Sequence, residues 1–303
     1  MRARLAVLSE VPDRWSSQLE QWSESNRDLR SGNYPDPNTE YFLYQSMLGA
    51  WPIDAERTKT YMQKAMREAK LETSWTGNNE AYEKAVASFI DGLFAKPEFL
   101  RSLEEFVGGI DRSGRVNSLT QTLLKYVSPG MPDLYQGGEL WDHSLVDPDN
   151  RRPVDYDLRA SLLKQLKAMS PQQFVETLES RFADGSPKLW LIHQALRLRN
   201  ERPESFGADA AYTPINANGP AADHVAAFQR GKDVIAVGQR FAQTLGGDWG
   251  ETTLDLPNGS WTDRLSGLQH AGGRIQLATL LQHFPVALLV RDAEKLERGS
   301  KSR

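Results

Sequence analysis

The stretch SPGMPDLYQGGEL, residues 128–140, decides the fold that we expect for this chain. A helical pattern stops before it, and prolines and glycines bracket the short run Asp133–Gln136. The carboxylate of Glu139 follows a Gly-Gly turn. Because glycine lets backbone approach a ligand closely, the pattern predicts a short strand that ends in a loop where the backbone can approach a ligand. A core strand followed by an ordinary glycine turn is the simpler alternative.

The next segment, LVDPDNRRPVDY at residues 145–156, concentrates polar groups between two prolines. Three aspartates, an asparagine and two arginines fall within nine residues. Carboxylate, amide and guanidinium groups bind adjacent sugar hydroxyls, often through paired hydrogen bonds. We therefore predict sugar contacts from Asp149, Asn150, Arg151 and Arg152, with Trp141 as a ring on which a sugar stacks. A salt-bridged surface loop would have the same composition.

A third segment, TSWTGNNE at residues 73–80, places an aromatic ring just before a predicted helix. Asn79 is a suitable N-cap for that helix. Trp75 and Glu80 are further candidates for a ligand site. A simple loop at the start of a helix explains the same residues.

Hydrophobic periodicity predicts helices up to about residue 200 and strands after it. Apolar residues recur at helical spacing in 40–51 and 80–94. Ser118 and Gln121 resemble a capping box that opens a helix, and Pro129-Gly130 ends it. Ser186-Pro187 opens another, which includes Leu189–Arg199. After a linker at Gly207–Ala222, strands are predicted at His224–Gln229, Val234–Gly238, Thr252–Leu256, Trp261–Leu265, Arg274–Leu277 and Val286–Arg291, with a turn at Pro257-Asn258-Gly259.

Composition excludes several classes of function. The 303 residues carry a net charge of -4, so no basic surplus points to nucleic acid or an anionic membrane. Cysteine is absent, and none of the five histidines pair at metal-ligand spacing. No dinucleotide loop, P-loop, HExxH or GxSxG motif occurs, and no apolar run approaches the roughly 20 residues of a membrane span. We expect a cytoplasmic protein without metal, organic cofactor, nucleic-acid or membrane partner.

The run Gly130–Glu139 resembles the region around the eighth barrel strand of the alpha-amylase superfamily, where the pattern is roughly Gly-x-Pro-x-x-Tyr-x-Gly-x-Glu. The loop Asp147–Pro153 is similar to the Asp-Pro-Asp-Asn-Arg-Arg-Pro stretch of several members. Further stretches resemble the maltooligosyl trehalose synthases in particular, and the likeness extends from residue 2 to about 292. These stretches are Arg2–Glu10, Gly49–Pro52, Ala65–Glu83, Leu145–Tyr156 and Phe284–Arg291.

The resemblance implies a mixed α and β fold: the C-terminal part of a (β/α)8 barrel with a helical insertion, followed by an antiparallel β-sandwich. It implies a helical insertion at 1–128, the end of the barrel at 129–207 and a sandwich at 208–292. We expect the charged tail, 293–303, to be disordered. A lone barrel strand leaves backbone groups unpaired, so we expect the isolated chain to aggregate or to fold only in its helices and sandwich.

The resemblance also implies a reaction. The family isomerises the reducing-end α-1,4 bond of a maltooligosaccharide to an α,α-1,1 trehalose bond by intramolecular transglycosylation, without metal or organic cofactor. In the family, the nucleophile, the acid and a third aspartate precede the residues that match Arg2, so we assign no catalytic residue and expect this chain alone to be inactive.

The expected partners are a maltooligosaccharide and the N-terminal portion of the barrel. A non-catalytic glycan-binding or interaction module and another hydrolase of the superfamily stay open as alternatives. The predicted substrate-binding residues are Gln136, Glu139, Trp141, Asp149, Asn150, Arg151, Arg152 and Trp75.

Overall fold

A computed structural model describes residues 1–293 as a helical N-terminal part followed by one antiparallel sheet. The helices are α1 (Arg2–Leu5), α2 (Pro12–Ser25), α3 (Pro37–Ala50), α4 (Ala55–Ala69), α5 (Glu80–Phe94), α6 (Pro97–Val127), α7 (Tyr156–Lys167), α8 (Pro171–Glu176), α9 (Leu178–Arg181), α10 (Ser186–Glu201), α11 (Pro203–Phe206), α12 (Ala242–Leu245) and α13 (Leu277–Leu280). Short 3-10 turns occupy Ala6–Glu10, Arg27–Leu29, Asp149–Arg151 and Ala222–His224. The strands are β1 (Tyr212–Ile215), β2 (Ala217–Asn218), β3 (Val225–Arg230), β4 (Val234–Gln239), β5 (Thr253–Asp263), β6 (Gln269–Gln276) and β7 (Ala287–Arg291).

The described chain forms two compact units. Met1–Asn117 and Trp141–Val154 form one, which we call the helical unit. Ser118–Leu140 and residues 155–293 form the other, which we call the sheet unit. The division into helical insertion, barrel end and sandwich stays a prediction. The predicted disordered tail, 293–303, lies outside the described residues from residue 294 onward.

Aromatic packing builds the core of the helical unit. Trp22 on α2 contacts Tyr44, Phe99 and Phe106, with ring centroids 5.5, 5.6 and 6.0 Å away. The predicted helical faces in 40–51 and 80–94 are confirmed as α3 and α5, whose apolar stripes are buried in this core. Such tilted and edge-on pairs add stability beyond the area they bury.

A buried arginine holds the start of the chain in the helical unit. Arg4 donates through Nη1 to the carbonyls of Leu48, Gly49 and Trp51, at 3.2, 3.3 and 2.6 Å. Those carbonyls lie at the C-terminal end of α3, where a helix favours cationic partners. The guanidinium also pairs with Asp111 on α6, so its charge is compensated inside the protein.

The sheet unit pairs its strands in the order β1-β3-β4-β7-β5-β2, with β6 also on β5. An antiparallel β region is thereby confirmed, but the strands share one hydrogen-bonded sheet. Strand β5 is the reason, because it pairs with β6 along both of its halves, with β2 at its start and with β7 at Trp261–Asp263. The register shifts between Leu256 and Ser260. A side chain at Gly272 would lie 2.4 Å from the carbonyl oxygen of Pro257, so this bulge requires glycine opposite it.

The strand predicted near Asp133–Gln136 is wrong for this chain. Residues 131–135 have no regular secondary structure, and a turn follows with Gly138 donating to the carbonyl of Tyr135 at 2.9 Å. The apolar side chains are not buried either, since Met131 is 90% exposed and Tyr135 is 53% exposed. A strand forms only where a neighbour pairs with its backbone, and the strands of the described sheet pair with one another within residues 212–291.

Other local predictions need smaller corrections. Ser118 opens no helix, because it lies inside the continuous helix α6; the stop at Pro129-Gly130 and the start at Ser186-Pro187 are confirmed. The supposed linker Gly207–Ala222 contains β1 and β2. The predicted turn at Pro257-Asn258-Gly259 is the bulge of β5, so Thr252–Leu256 and Trp261–Leu265 belong largely to one strand.

Across residues 1–293, none of the helices is both long enough and apolar enough to cross a membrane.

The end of α4 gives a test of the described backbone. Lys70 caps this helix in the left-handed region, with φ 57° and ψ 27°. Because a β-carbon is strained there and glycine is not, we expect Lys70→Gly to raise the free energy of unfolding by about 0.5–1 kcal/mol. Urea denaturation of the chain measures this.

The matched control is Lys84→Gly, at an exposed position inside α5. Glycine in a helix interior should lower stability by about 1 kcal/mol. Equal losses from both substitutions would contradict the left-handed cap at Lys70.

Candidate functional site

The predicted sugar-binding loop belongs to the helical unit, although it is separated in sequence from most of that unit. Leu145 is buried and packs with Ala50 and Ile53, and Trp51 and Tyr61 border the same apolar cluster. This contact anchors the start of the loop. The polar residues of the loop then lie beside α4.

Asp149 is the most constrained residue of the loop. Its two carboxylate oxygens accept hydrogen bonds from Nε and Nη2 of Arg57 on α4, both at 2.9 Å. The backbone N–H of Leu145 donates to Oδ2 at 2.8 Å, and Arg152 lies 3.2 Å from Oδ1. Burial by itself would raise the pKa of Asp149, but the Arg57 and Leu145 hydrogen bonds outweigh it and hold the pKa below its ordinary value. The carboxylate therefore fixes the loop.

The neighbouring residues of the loop divide into paired and exposed groups. Arg151 forms an ion pair with Asp147 and remains 70% exposed at its side chain. Arg152 donates from Nε to the carbonyl of Asp149 at 3.0 Å and from Nη2 to Ser144 Oγ at 3.1 Å. Asn150 Oδ1 is buried without a hydrogen-bond partner among residues 1–293. Parts of both guanidinium groups therefore stay accessible at the loop surface.

Two further side chains, in the segment just before the loop, face charged groups of the helical unit. The guanidinium of Arg115 lies over the ring of Trp141, 5.7 Å from its centroid. Burial, together with the nearby Arg4, lowers the pKa of His143 to about 3. His143 is therefore neutral at physiological pH.

Trp75 lies on a separate loop of the helical unit, held by a second ion pair. The guanidinium of Arg67 on α4 lies 4.9 Å from the ring centroid of Trp75. Arg67 in turn donates from Nε and Nη2 to the two carboxylate oxygens of Glu83, at 2.8 and 2.7 Å. The predicted cap is also present, since Asn79 Oδ1 accepts from the backbone of Tyr82. Glu80 is exposed in the first turn of α5.

Gln136 and Glu139 belong to the sheet unit. Gln136 is exposed in the turn that follows residue 135. Glu139 Oε2 accepts from Arg159 Nε at 2.9 Å, and Arg159 Nη2 donates to the carbonyl of Gly137 at 2.8 Å. Within this unit, Arg159 thus orients the turn that carries both predicted residues.

Sequence reasoning predicted helices in this region but missed the cations of α4 that hold the candidate loops. Arg57, Lys64 and Arg67 all lie on α4, and each contacts one of the two predicted loops. Lys64 donates to the carbonyl of Asp147 and lies 3.7 Å from its carboxylate. The spacing of Arg57 and Lys64, seven residues, is a visible signal for one face of a helix. No local pattern in the sequence shows that this face of the helix contacts residues 147–149.

The described residues include no group of three or more histidine, aspartate or glutamate side chains arranged to hold a metal ion.

Comparison with known proteins gives the family. A Mycobacterium tuberculosis (strain H37Rv) protein that carries the name maltooligosyl trehalose synthase is 40% identical over 300 residues. The maltooligosyltrehalose synthase structure from Arthrobacter ramosus aligns with a TM-score of 0.83 at 36% identity. A hypothetical maltooligosyl trehalose synthase of Sulfolobus tokodaii aligns with a TM-score of 0.74 at 31% identity. No protein-family model matches.

This chain corresponds to a C-terminal portion of the maltooligosyl trehalose synthases. The match covers 96% of the chain but 36% of the Mycobacterium tuberculosis relative and 36% of the Arthrobacter ramosus enzyme. The relation to this particular family is therefore confirmed across nearly the whole chain.

The Arg57–Asp149 pair supports a test of how the loop at residues 147–152 is held. Arg57→Ala leaves a largely buried carboxylate without its main partner, so we expect the free energy of unfolding to fall by about 2 kcal/mol. Arg151→Ala is the matched control in the same loop, because its ion pair is exposed and should contribute less than about 0.5 kcal/mol. Urea unfolding measures both, and similar losses would exclude a special role for Arg57.

The Arg67–Glu83 pair predicts a dependence of stability on pH. Hydrogen bonds from Arg67, Thr73 and Gln63 outweigh burial and lower the pKa of Glu83 from 4.5 to about 2. A lowered folded-state pKa means that the stabilisation is complete above the unfolded value and is lost as pH falls through the folded value. The stability advantage of the natural chain over Glu83→Gln should therefore shrink between about pH 5 and 2.

Thermal unfolding across this pH range measures the difference. Glu104→Gln, at an exposed position of α6, is the control and should show no such trend. A pH-independent difference for Glu83→Gln would rule out ionised Glu83 as the source of the stabilisation.

Proposed function

We propose that this chain supplies the C-terminal portion of an active maltooligosyl trehalose synthase. The observation that carries the proposal is the 40% identity to the Mycobacterium tuberculosis relative over 300 residues. The substrate would be a maltooligosaccharide, whose reducing-end α-1,4 bond becomes an α,α-1,1 bond. The reaction is an isomerisation, and the finer assignment to intramolecular transglycosylation rests on the resemblance in sequence.

The chemistry follows the retaining scheme. A carboxylate attacks the anomeric carbon while a carboxylic acid protonates the leaving oxygen, and the two lie about 5–5.5 Å apart. The released glucose, held in place, attacks the same carbon through its anomeric hydroxyl. Water must be excluded during this step, because its attack would give hydrolysis. We assign neither carboxylate to this chain.

The part proposed for this chain is binding and enclosure of substrate. Asp149 is committed to Arg57 and Leu145, so its role is to hold the loop. The accessible edges of Arg151 and Arg152 are then available to sugar hydroxyls. In the sheet unit, Arg159 holds Glu139 in the turn that presents Gln136.

The exposed segment 131–136 is the feature that supports a larger assembly. Met131 and Tyr135 are apolar and exposed, and the backbone between them lacks a neighbouring strand. We propose that this segment pairs with other barrel strands in the assembled enzyme. Unpaired backbone and apolar surface of this kind favour association.

A non-catalytic glycan-binding module is the second candidate. The same loop supports it, because the organised groups of residues 147–152 need no catalytic carboxylate to bind a sugar. The two candidates differ in whether the assembled protein turns over substrate.

Activity on maltopentaose tests the proposal. The chain is assayed alone and after co-expression with the part of the Mycobacterium tuberculosis relative that precedes the matched region. We expect reducing ends to disappear only with the co-expressed pair, since the resemblance places the nucleophile and the acid there. Activity of the chain alone would contradict the absence of catalytic residues. Binding without turnover in either sample would favour the glycan-binding module.

A further inference from the structure

Trp75 is an unusually exposed tryptophan for this protein. All eight tryptophans lie within residues 1–293, and Trp75 is the only one with a largely exposed side chain, at 56%. Its indole N–H makes no hydrogen bond to any described residue. Burying a tryptophan side chain is among the largest hydrophobic contributions to folding stability. An exposed Trp75 contributes less to that stability than a buried ring would.

The ring is exposed but not loose. Thr73 Oγ1 donates to Glu83 at 2.7 Å and accepts from the backbone of Asn79 at 3.0 Å, which closes the base of the loop. Ser74 and Gly77 form three further hydrogen bonds across the loop, at 3.0, 3.1 and 3.5 Å. The loop is therefore already ordered in the folded chain, and a ligand that binds there does not lose binding free energy to ordering it.

The Arg67 guanidinium covers one face of the Trp75 ring. Arg67 is fixed by both carboxylate oxygens of Glu83, and Gln63 donates to the same carboxylate at 3.2 Å. One face of the indole is therefore packed against a held cation, and Trp75 still remains 56% exposed. The charge of Arg67 is compensated by Glu83.

The charges around the loop select the class of ligand. Glu72 and Glu80 flank the loop and are exposed, so a polyanion such as nucleic acid would be repelled. A neutral ligand with an apolar face and surrounding hydroxyls fits better. A pyranose ring has this character, since its C–H groups form an apolar face.

We propose that Trp75 is a stacking platform for a glucose unit of an α-1,4-glucan, with Arg67 and Glu83 as positioning residues. The inference rests on the proposed function for its choice of sugar. The binding contact itself requires no turnover by this chain.

Binding of maltopentaose to the 303-residue chain tests the platform. Calorimetric titration should show that Trp75→Ala weakens binding about tenfold, as loss of one stacked ring predicts. Trp75→Phe should retain most of the affinity, because a smaller aromatic face remains. Leu71→Ala is the matched control: Leu71 is an exposed apolar residue beside the loop, and its removal should leave affinity unchanged.

The co-expressed assembly provides the second measurement. There, Trp75→Ala should raise KM for maltopentaose about tenfold and change kcat less. Glu83→Gln should also raise KM, because it releases Arg67 from its hydrogen-bonded position.

The outcomes separate this inference from the proposed function. Equal affinity and equal KM for the natural chain and Trp75→Ala overturn the platform, even if the assembly is active. Absence of any maltopentaose binding by the natural chain overturns it as well. Binding that depends on Trp75 in an inactive assembly would uphold the platform and reject the proposed function.

Discussion

The ion pair between Arg57 and Asp149 is the constraint on which the candidate site depends. It joins residues that are 92 positions apart through two hydrogen bonds of 2.9 Å. Without it, the loop at 147–152 would have only the apolar anchor of Leu145 to hold it against the helical unit. The pair is largely buried, so removing one partner leaves a buried charge uncompensated. This destabilises the protein more than the loss of a surface pair would.

A single helix extends this principle to the second loop. Arg57 and Arg67 lie ten residues apart on α4, which separates their α-carbons by about 15 Å along the helix axis. Each uses a bidentate pair with a carboxylate, geometry that arginine provides and lysine does not. The helix therefore orders two loops from one rigid element. Rigid support of this kind lets an irregular loop still be well positioned.

The sequence predicted some parts of this arrangement and could not predict others. Helices α3, α5 and α10 followed from apolar spacing, and the Asn79 cap from residue type, because these signals are local. Strand β5 was divided wrongly, since Pro257-Asn258-Gly259 is typical of a turn and only the facing Gly272 shows that a bulge fits there. The strand expected near Asp133–Gln136 is absent for a related reason. A strand needs a partner strand, and the local sequence does not show whether a partner is present. The roles of Arg57 and Arg67 could not be predicted either, because their partners, Asp149 and Glu83, come close to them only in the folded chain.

The charges of the candidate loops in the helical unit and of the turn at Gln136–Glu139 in the sheet unit are compensated pair by pair within each unit. Asp149 is neutralised by Arg57, Asp147 by Arg151, Glu83 by Arg67 and Glu139 by Arg159. Each ion pair holds a loop or a turn in place. Because its two charges are opposite, little net electrostatic field remains to attract an ion. What the loops leave accessible is an indole face and the outer edges of two guanidinium groups, which offer stacking and directional donors. The proposed ligand, a polyhydroxylated and uncharged chain, could form both kinds of contact.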